Sequence, residues 1–175
     1  MSVSVSVPGP VVVMGVSGSG KTTLGRALAE AMDAPFCEGD DLHPPGNVAK
    51  MAAGEPLTDA DRWPWLDRVG AWLGAGQGWR IATCSALRRA YRERLLGAAP
   101  GTRFLWLDVP QAELAHRLAH RTGHYMPASL LGSQLATLEP PMPDEPAVRI
   151  DGAWGMEPAV DSARAWLMGL GARAE

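Results

Sequence analysis

Two cysteines, Cys37 and Cys84, are all that the sequence contains. They are too few and too scattered for a disulfide framework or a zinc site. Both fall in predicted strands, where buried free thiols are the expectation. No apolar run approaches the ~18 residues that a membrane-spanning helix needs. The first nine residues lack the basic stretch and the long apolar core of a secretory signal. A flexible tail over 1–9 and a cytoplasmic location are therefore expected. Charge of one sign is also missing. A net charge of −3 gives no footing for nucleic acid or for an anionic membrane. No repeat and no low-complexity segment appears beyond the tail. What remains is ordinary: 175 residues, 46% apolar and 20% charged, which fits one globular domain over 10–175.

One stretch is not ordinary. Gly15-Val16-Ser17-Gly18-Ser19-Gly20-Lys21-Thr22 fits the pattern G-x-x-x-x-G-K-S/T without substitution. An apolar run, Pro10 to Met14, leads into it, and a helical pattern, Leu24 to Met32, follows. Strand, glycine-rich loop and helix in that order are the context of a phosphate-binding loop. The glycines let the backbone turn tightly and gather N–H groups on one concave surface. That surface meets the positive end of the new helix, so oriented dipoles hold a polyphosphate. Lys21 can reach the β- and γ-phosphates, and the Thr22 hydroxyl can ligate Mg²⁺. The expected nucleotide contacts are Gly15, Val16, Ser17, Gly18, Ser19, Gly20, Lys21, Thr22 and Thr23. A GTP-switched binding module also owns such a loop. It needs a guanine-reading Asn-Lys-x-Asp, which is absent. It also needs Asp-x-x-Gly after the third strand, where this chain has Ser85-Ala86-Leu87-Arg88.

Five strand-like segments alternate with helical ones. The strands are expected at Val11–Met14, Pro35–Glu38, Trp79–Cys84, Thr102–Val109 and Ala147–Ile150. Helices are expected at Leu24–Met32, Gly46–Ala53, Asp61–Leu73 with Thr58 or Asp59 as cap, Ala86–Leu96 capped by Ser85, Gln111–Arg121, Ala128–Leu138 and Pro158–Leu170. Such alternation means a parallel sheet covered on both faces. Ligands of these sheets bind outside the carboxyl ends of the strands. The phosphate loop, Glu38/Asp40, Ser85/Arg88 and Asp108 should therefore share one edge.

Glu38 and Asp40 are two apart at a strand end and can project the same way. One carboxylate can serve Mg²⁺ while the other faces an acceptor hydroxyl and takes its proton. Glu38 is assigned to the metal with Thr22, and Asp40 to the acceptor. Asp41 should face away, and Asp108 reads as a strand-end residue before Pro110. Arg88, just after the third strand, and Arg62 suit an anionic substrate, because a guanidinium binds a carboxylate with two parallel bonds. Arg89 and Arg92 read as a solvated helix face. Arg117 and Arg121 lie four apart on one helical face that ends at Gly123. This looks like a lid, about 117–138, which would exclude water and bring positive charge to the moving phosphoryl group. His43 and His124 can contact substrate, whereas His116 and His120 should face solvent. The seven tryptophans read as core or subunit interface, with Trp63 and Trp65 as the exceptions.

These blocks resemble a family. Glu38-Gly-Asp-Asp-Leu-His-Pro, Lys50-Met-Ala-x-Gly-Glu-Pro-Leu-Thr-Asp-x-Asp-Arg-x-Pro-Trp-Leu, Cys84-Ser-Ala-Leu-Arg-Arg-x-Tyr-Arg and Arg121-x-Gly-His-Tyr-Met, with the phosphate loop, resemble gluconokinases of the small, shikimate-kinase-like type. The likeness runs from about Val11 to Asp151. It implies a three-layer α/β fold of the nucleoside-monophosphate-kinase kind, with a five-stranded parallel sheet in order 2-3-1-4-5 and a mobile lid. It implies ATP- and Mg²⁺-dependent phosphorylation of D-gluconate to 6-phospho-D-gluconate, usually by a homodimer. The substrate-binding region would span about 40–75. Lys21, Asp40 and Arg121 would be catalytic; Arg117 and Arg121 would attend the nucleotide; Asp40, His43, Arg62, Arg88 and His124 would attend the acceptor. Glu38 departs from the Asp that related kinases often carry. The alternative within enzymes is another small-metabolite kinase of the shikimate-like group.

Overall fold

The computed structural model describes residues 6–120 and 129–169. Its centre is β1 (Pro10–Met14), an unbroken apolar run of the kind that is buried on both faces of a parallel sheet. Val11 to Met14 are wholly buried. β1 pairs in parallel with β3 (Arg80–Thr83) on one side and β4 (Arg103–Asp108) on the other, with Val12 opposite both Ala82 and Phe104. The short β2 (Phe36–Cys37) and β5 (Ala147–Asp151) form the edges. The order is β2-β3-β1-β4-β5, as expected.

Helices cover both faces. α1 (Lys21–Ala31) packs on α7 (Met156–Leu167), and α3 (Asp59–Gly74) packs on α4 (Arg89–Ala98). α2 (Pro45–Ala52), α5 (Gln111–Ala119) and α6 (Leu130–Thr137) complete the set. α3 starts at Asp59, two residues before the expected Asp61, and of the two expected caps it uses Thr58. Thr58 accepts from the Asp61 N–H at 3.2 Å, and the Asp61 carboxylate accepts from the Thr58 N–H at 2.9 Å, a reciprocal capping box. α7 starts two residues before Pro158, since proline is tolerated in a first turn. Among the described residues no helix is long and apolar enough to cross a membrane. Of the expected tail, Ser6 and Val7 both accept hydrogen bonds from Arg103.

Three readings need correction. α4 begins at Arg89, not Ala86, and Ser85 does not cap it. The carbonyl of Ser85 instead accepts from the Gly15 N–H at 3.3 Å, and Ala86 adopts φ 45°, so the chain leaves β3 tied to the phosphate loop. With that shift the buried face of α4 becomes Tyr91, Arg92 and Leu95. Arg92 is therefore not on a solvated face. Its side chain is 1% exposed, gives Nε and Nη2 to the Glu145 carboxylate at 2.6 and 3.1 Å, and gives Nη1 to the Ala86 carbonyl at 2.9 Å. Arg89 does stay at the surface, paired with Asp144 and Glu93. Finally, Cys37 is only half-buried on edge strand β2, whereas Cys84 is buried just beyond β3. Most tryptophans pack on the core as expected; Trp154 stands exposed.

Candidate active site

The phosphate loop has the shape its glycines permit. Gly15, Gly18 and Gly20 take φ of 147°, 84° and 95°, a region that side chains oppose. Gly20 is the N-cap of α1, and no side chain caps that helix, so its first N–H groups face outward as an anion site. Lys21 folds back, its Nζ 3.0 Å from the Val16 carbonyl. The Ser17 N–H donates to the Gln134 side-chain oxygen of α6 at 2.6 Å.

After β2 the chain turns through a single 3₁₀ turn, Gly39–Leu42, with Glu38 as its cap. Gly39 makes this possible. A Cβ there would lie 1.8 Å from the Thr83 carbonyl oxygen, so only glycine lets the turn press on the end of β3. The turn divides the two acids. The Glu38 carboxylate turns inward, accepting from the Thr22 and Thr83 hydroxyls and from the Asp40 N–H. Asp40 instead lines a cavity with Ser17, Lys21, Thr22, His43 and Arg62. Thr22 and Glu38 thus present only oxygen donors, side by side, beside the loop. That set suits Mg²⁺, which uses one or two protein ligands together with substrate phosphates. Among the described residues no cluster of three or more acidic, His or Cys side chains offers a denser site. Asp108 belongs elsewhere: its carboxylate binds Arg149 of β5 at 2.7 Å.

The far wall of the cavity is built from His43, α2, α3, the segment between β3 and α4, and α6. His43 is buried and stacks on Trp65, with ring centroids 4.0 Å apart and 15° between planes. Trp65 in turn donates to the Gly39 carbonyl at 2.8 Å. Burial, aided by the charge of Arg62, pushes the His43 imidazolium down to about 4. Arg62 lines the cavity and donates to the Tyr91 hydroxyl at 2.9 Å. Tyr91 donates to Asp59, whose carboxylate also lies 3.6 Å from Arg62 and 3.7 Å from Arg88. Arg88 joins this cluster, but it is not among the residues lining the cavity. Asp41, His116 and His120 are exposed, as expected.

Arg117 reaches back across the phosphate loop. It donates to the Ser19 and Gly152 carbonyls, each at 3.2 Å, while Glu113 holds its Nε at 3.0 Å. It lines a second cavity with Gly20, Thr23, Gly152, Trp154 and Met156, which shares Gly20 and Thr23 with the first but not Asp40. Arg121 and His124 lie outside the described residues.

Against this geometry the comparisons are specific. A family model described as an AAA domain matches residues 11–141. The gluconokinase of Gluconobacter oxydans is 56% identical over 146 residues, covering 81% of this chain and 82% of that one. The chain belongs to the gluconokinase family. A solved gluconokinase from Sinorhizobium meliloti superposes with a TM-score of 0.85 at 50% identity over 94% of each chain. A shikimate kinase from Aquifex aeolicus, 15% identical with a TM-score of 0.58 over 91% of this chain and 96% of that one, shares the fold alone.

For a gluconokinase-family chain, two participants were not legible beforehand. Asn47 is 5% exposed in the first turn of α2, four residues after His43, and its amide nitrogen lies 3.1 Å from the His43 ring. That spacing was the available signal. Gln134 touches the phosphate loop from 117 residues away, and nothing local announces it.

Proposed function

We propose that this chain transfers the γ-phosphoryl group of ATP to the 6-hydroxyl of D-gluconate, giving 6-phospho-D-gluconate and ADP. The observation that carries this reading is the one cavity that Lys21, Thr22, Asp40, His43 and Arg62 line together. The phosphate-loop residues and a carboxylate line the same space. Asp40 accepts the hydroxyl proton as the oxygen bonds to the γ-phosphorus in line with the departing ADP oxygen. Lys21 exchanges the Val16 carbonyl for phosphate oxygens. Arg62 and Arg88, already drawn around one carboxylate at Asp59, supply positive charge for the sugar-acid carboxylate. Thr22 and Glu38 would hold Mg²⁺, which when bound offsets the charge of the phosphate oxygens. The second cavity, with Gly152 and Trp154, would take the adenine, and Arg117 would steady the loop beside it. The family resemblance implies a lid, about 117–138, whose Arg121 and His124 would serve the site and which would keep water from wasting ATP. The reading also takes 10–175 as one kinase domain in the cytoplasm, acting as a homodimer as the family resemblance implies.

The test is coupled ADP release with a panel of acceptors: gluconate, other aldonic acids, shikimate and nucleoside monophosphates. Gluconate-dependent release, with 6-phosphogluconate identified by mass spectrometry, is expected. Turnover of shikimate or a nucleoside monophosphate without turnover of gluconate would replace the substrate.

A further inference from the structure

His43 is a buried imidazole in the acceptor wall, and its bonds determine where its proton lies. The Asn47 Nδ2 sits 2.8 Å from the Asp61 carbonyl oxygen. That contact fixes the amide orientation, because the flipped amide would set two acceptor oxygens against each other. The same NH₂ group lies 3.1 Å from His43 Nδ1. An amide nitrogen donates and does not accept, so Nδ1 must carry the lone pair and Nε2 the proton. Nε2 then points toward Asp40, 4.0 Å from its Oδ1. This is too long for a direct bond and suits one oxygen standing between the two.

We propose that Asn47 is a positioning residue: it locks His43 as the neutral Nε2–H tautomer, which donates to the acceptor oxygen that Asp40 deprotonates. A hydroxyl meets both demands, accepting from His43 while donating to Asp40. One lone pair is then engaged by the ring, and the other is left to attack phosphorus. The wall is arranged to keep the ring neutral. Arg62 from α3 is the cation facing it, Asp40 from the 3₁₀ turn is the anion, Lys21 from α1 lines the same cavity, and Trp65 covers the ring face. Asp61 offers His43 nothing directly, since its carboxylate is spent on Lys50 and the Thr58 N–H. The role of His43 is thus that of a fixed donor, with Asp40 as the base.

This inference rests on reading the cavity as the acceptor site, yet its decisive test does not use the acceptor. In ligand-free, ¹⁵N-labelled protein, long-range ¹H–¹⁵N spectra report which imidazole nitrogen is protonated. The His43 signals are assigned by their loss in His43→Gln. Expected is a bare Nδ1 and a protonated Nε2, unchanged from about pH 8 to about pH 5.5. In Asn47→Leu the fixed tautomer is lost, and kcat falls about 10- to 100-fold while the KM for ATP stays within about twofold. His43→Gln, whose amide N–H reaches near the Nε2 position, keeps about tenfold more kcat than His43→Leu. An Nδ1–H ring in the wild-type protein overturns the proposal, whether or not Asn47→Leu folds. So does an Asn47→Leu protein that retains the Nε2–H form. Should gluconate fail as a substrate while the spectra come out as expected, the substrate reading falls and the tautomer lock stands.

Discussion

On the nucleotide side of the cavity the chain presents mostly backbone: N–H groups of the loop between Gly15 and Gly20 and of the first turn of α1. On the acceptor side it presents side chains from separated segments, Asp40, His43 and Arg62, with His43 held by Asn47 and Arg62 by Tyr91. The difference is one of robustness. Backbone donors survive substitution of most side chains around them, provided the glycine conformations are kept. A side-chain wall fails one interlock at a time, and each failure leaves a buried polar group without its partner.

The widest gap between the two walls should appear with Asp40→Asn. Turnover is expected to fall by about 10²–10⁴ while calorimetric ATP affinity stays near normal. Near-normal turnover would remove Asp40 from the chemistry and with it the division of labour. Lys21→Ala should break the contrast from the other side, lowering ATP affinity and rate together, by about 10²–10³ in kcat/KM for ATP.

Arg92→Ala probes the scaffold behind the acceptor wall. It would bury Glu145 without its partner and should cost about 3–5 kcal/mol in urea unfolding. In the native protein burial pushes the Glu145 carboxyl up, but the hydrogen bonds from Arg92 and the Met142 N–H, with the charges of Arg92 and Arg89, together outweigh it and hold the carboxyl below its ordinary range. The stabilisation from this pair is therefore present at neutral pH and lost as pH falls through the lowered folded value.

His43 gives a gentler, pH-dependent effect. Its ring titrates near 4 in the fold and near 6.5 when unfolded. Between those values the unfolded chain binds a proton that the native ring refuses, so stability should decline on acidification by up to ~3 kcal/mol. Thermal melts from neutral pH down to about 4 should show this slope, and His43→Gln should flatten it. The smallest effect belongs outside both walls. Arg94 grips Asp67 at 2.7 and 2.9 Å at the surface, and Arg94→Ala should leave the urea-unfolding midpoint nearly unchanged.

The same comparison explains what could be foreseen. β1, the loop and α1 are contiguous, and their periodicities are local, so they read directly from the residues. The α3 start was legible to within two residues, because Thr58 is a good cap, and its exchange with Asp61 within one turn decides between Thr58 and Asp59. Strand order came with the family resemblance, since periodicity carries no information about which strands are neighbours. Arg92 was misread because Ser85 is chemically a good cap. Its carbonyl, however, is claimed by Gly15, and the helix starts three residues later than that cap would place it. A shift of that size rotates every later side chain to another face. Asn47 and Gln134 escaped because ordinary polar residues acquire meaning only from what the fold sets opposite them.

Gln134 already occupies one place in the anion cradle. Its amide oxygen holds the Ser17 N–H much as an oxyanion would. A phosphate oxygen drawing close to that N–H competes with this resident for one donor. Losing the contest would release the Gln134 side chain, and with it the one hydrogen bond described between the loop's Ser17 and α6.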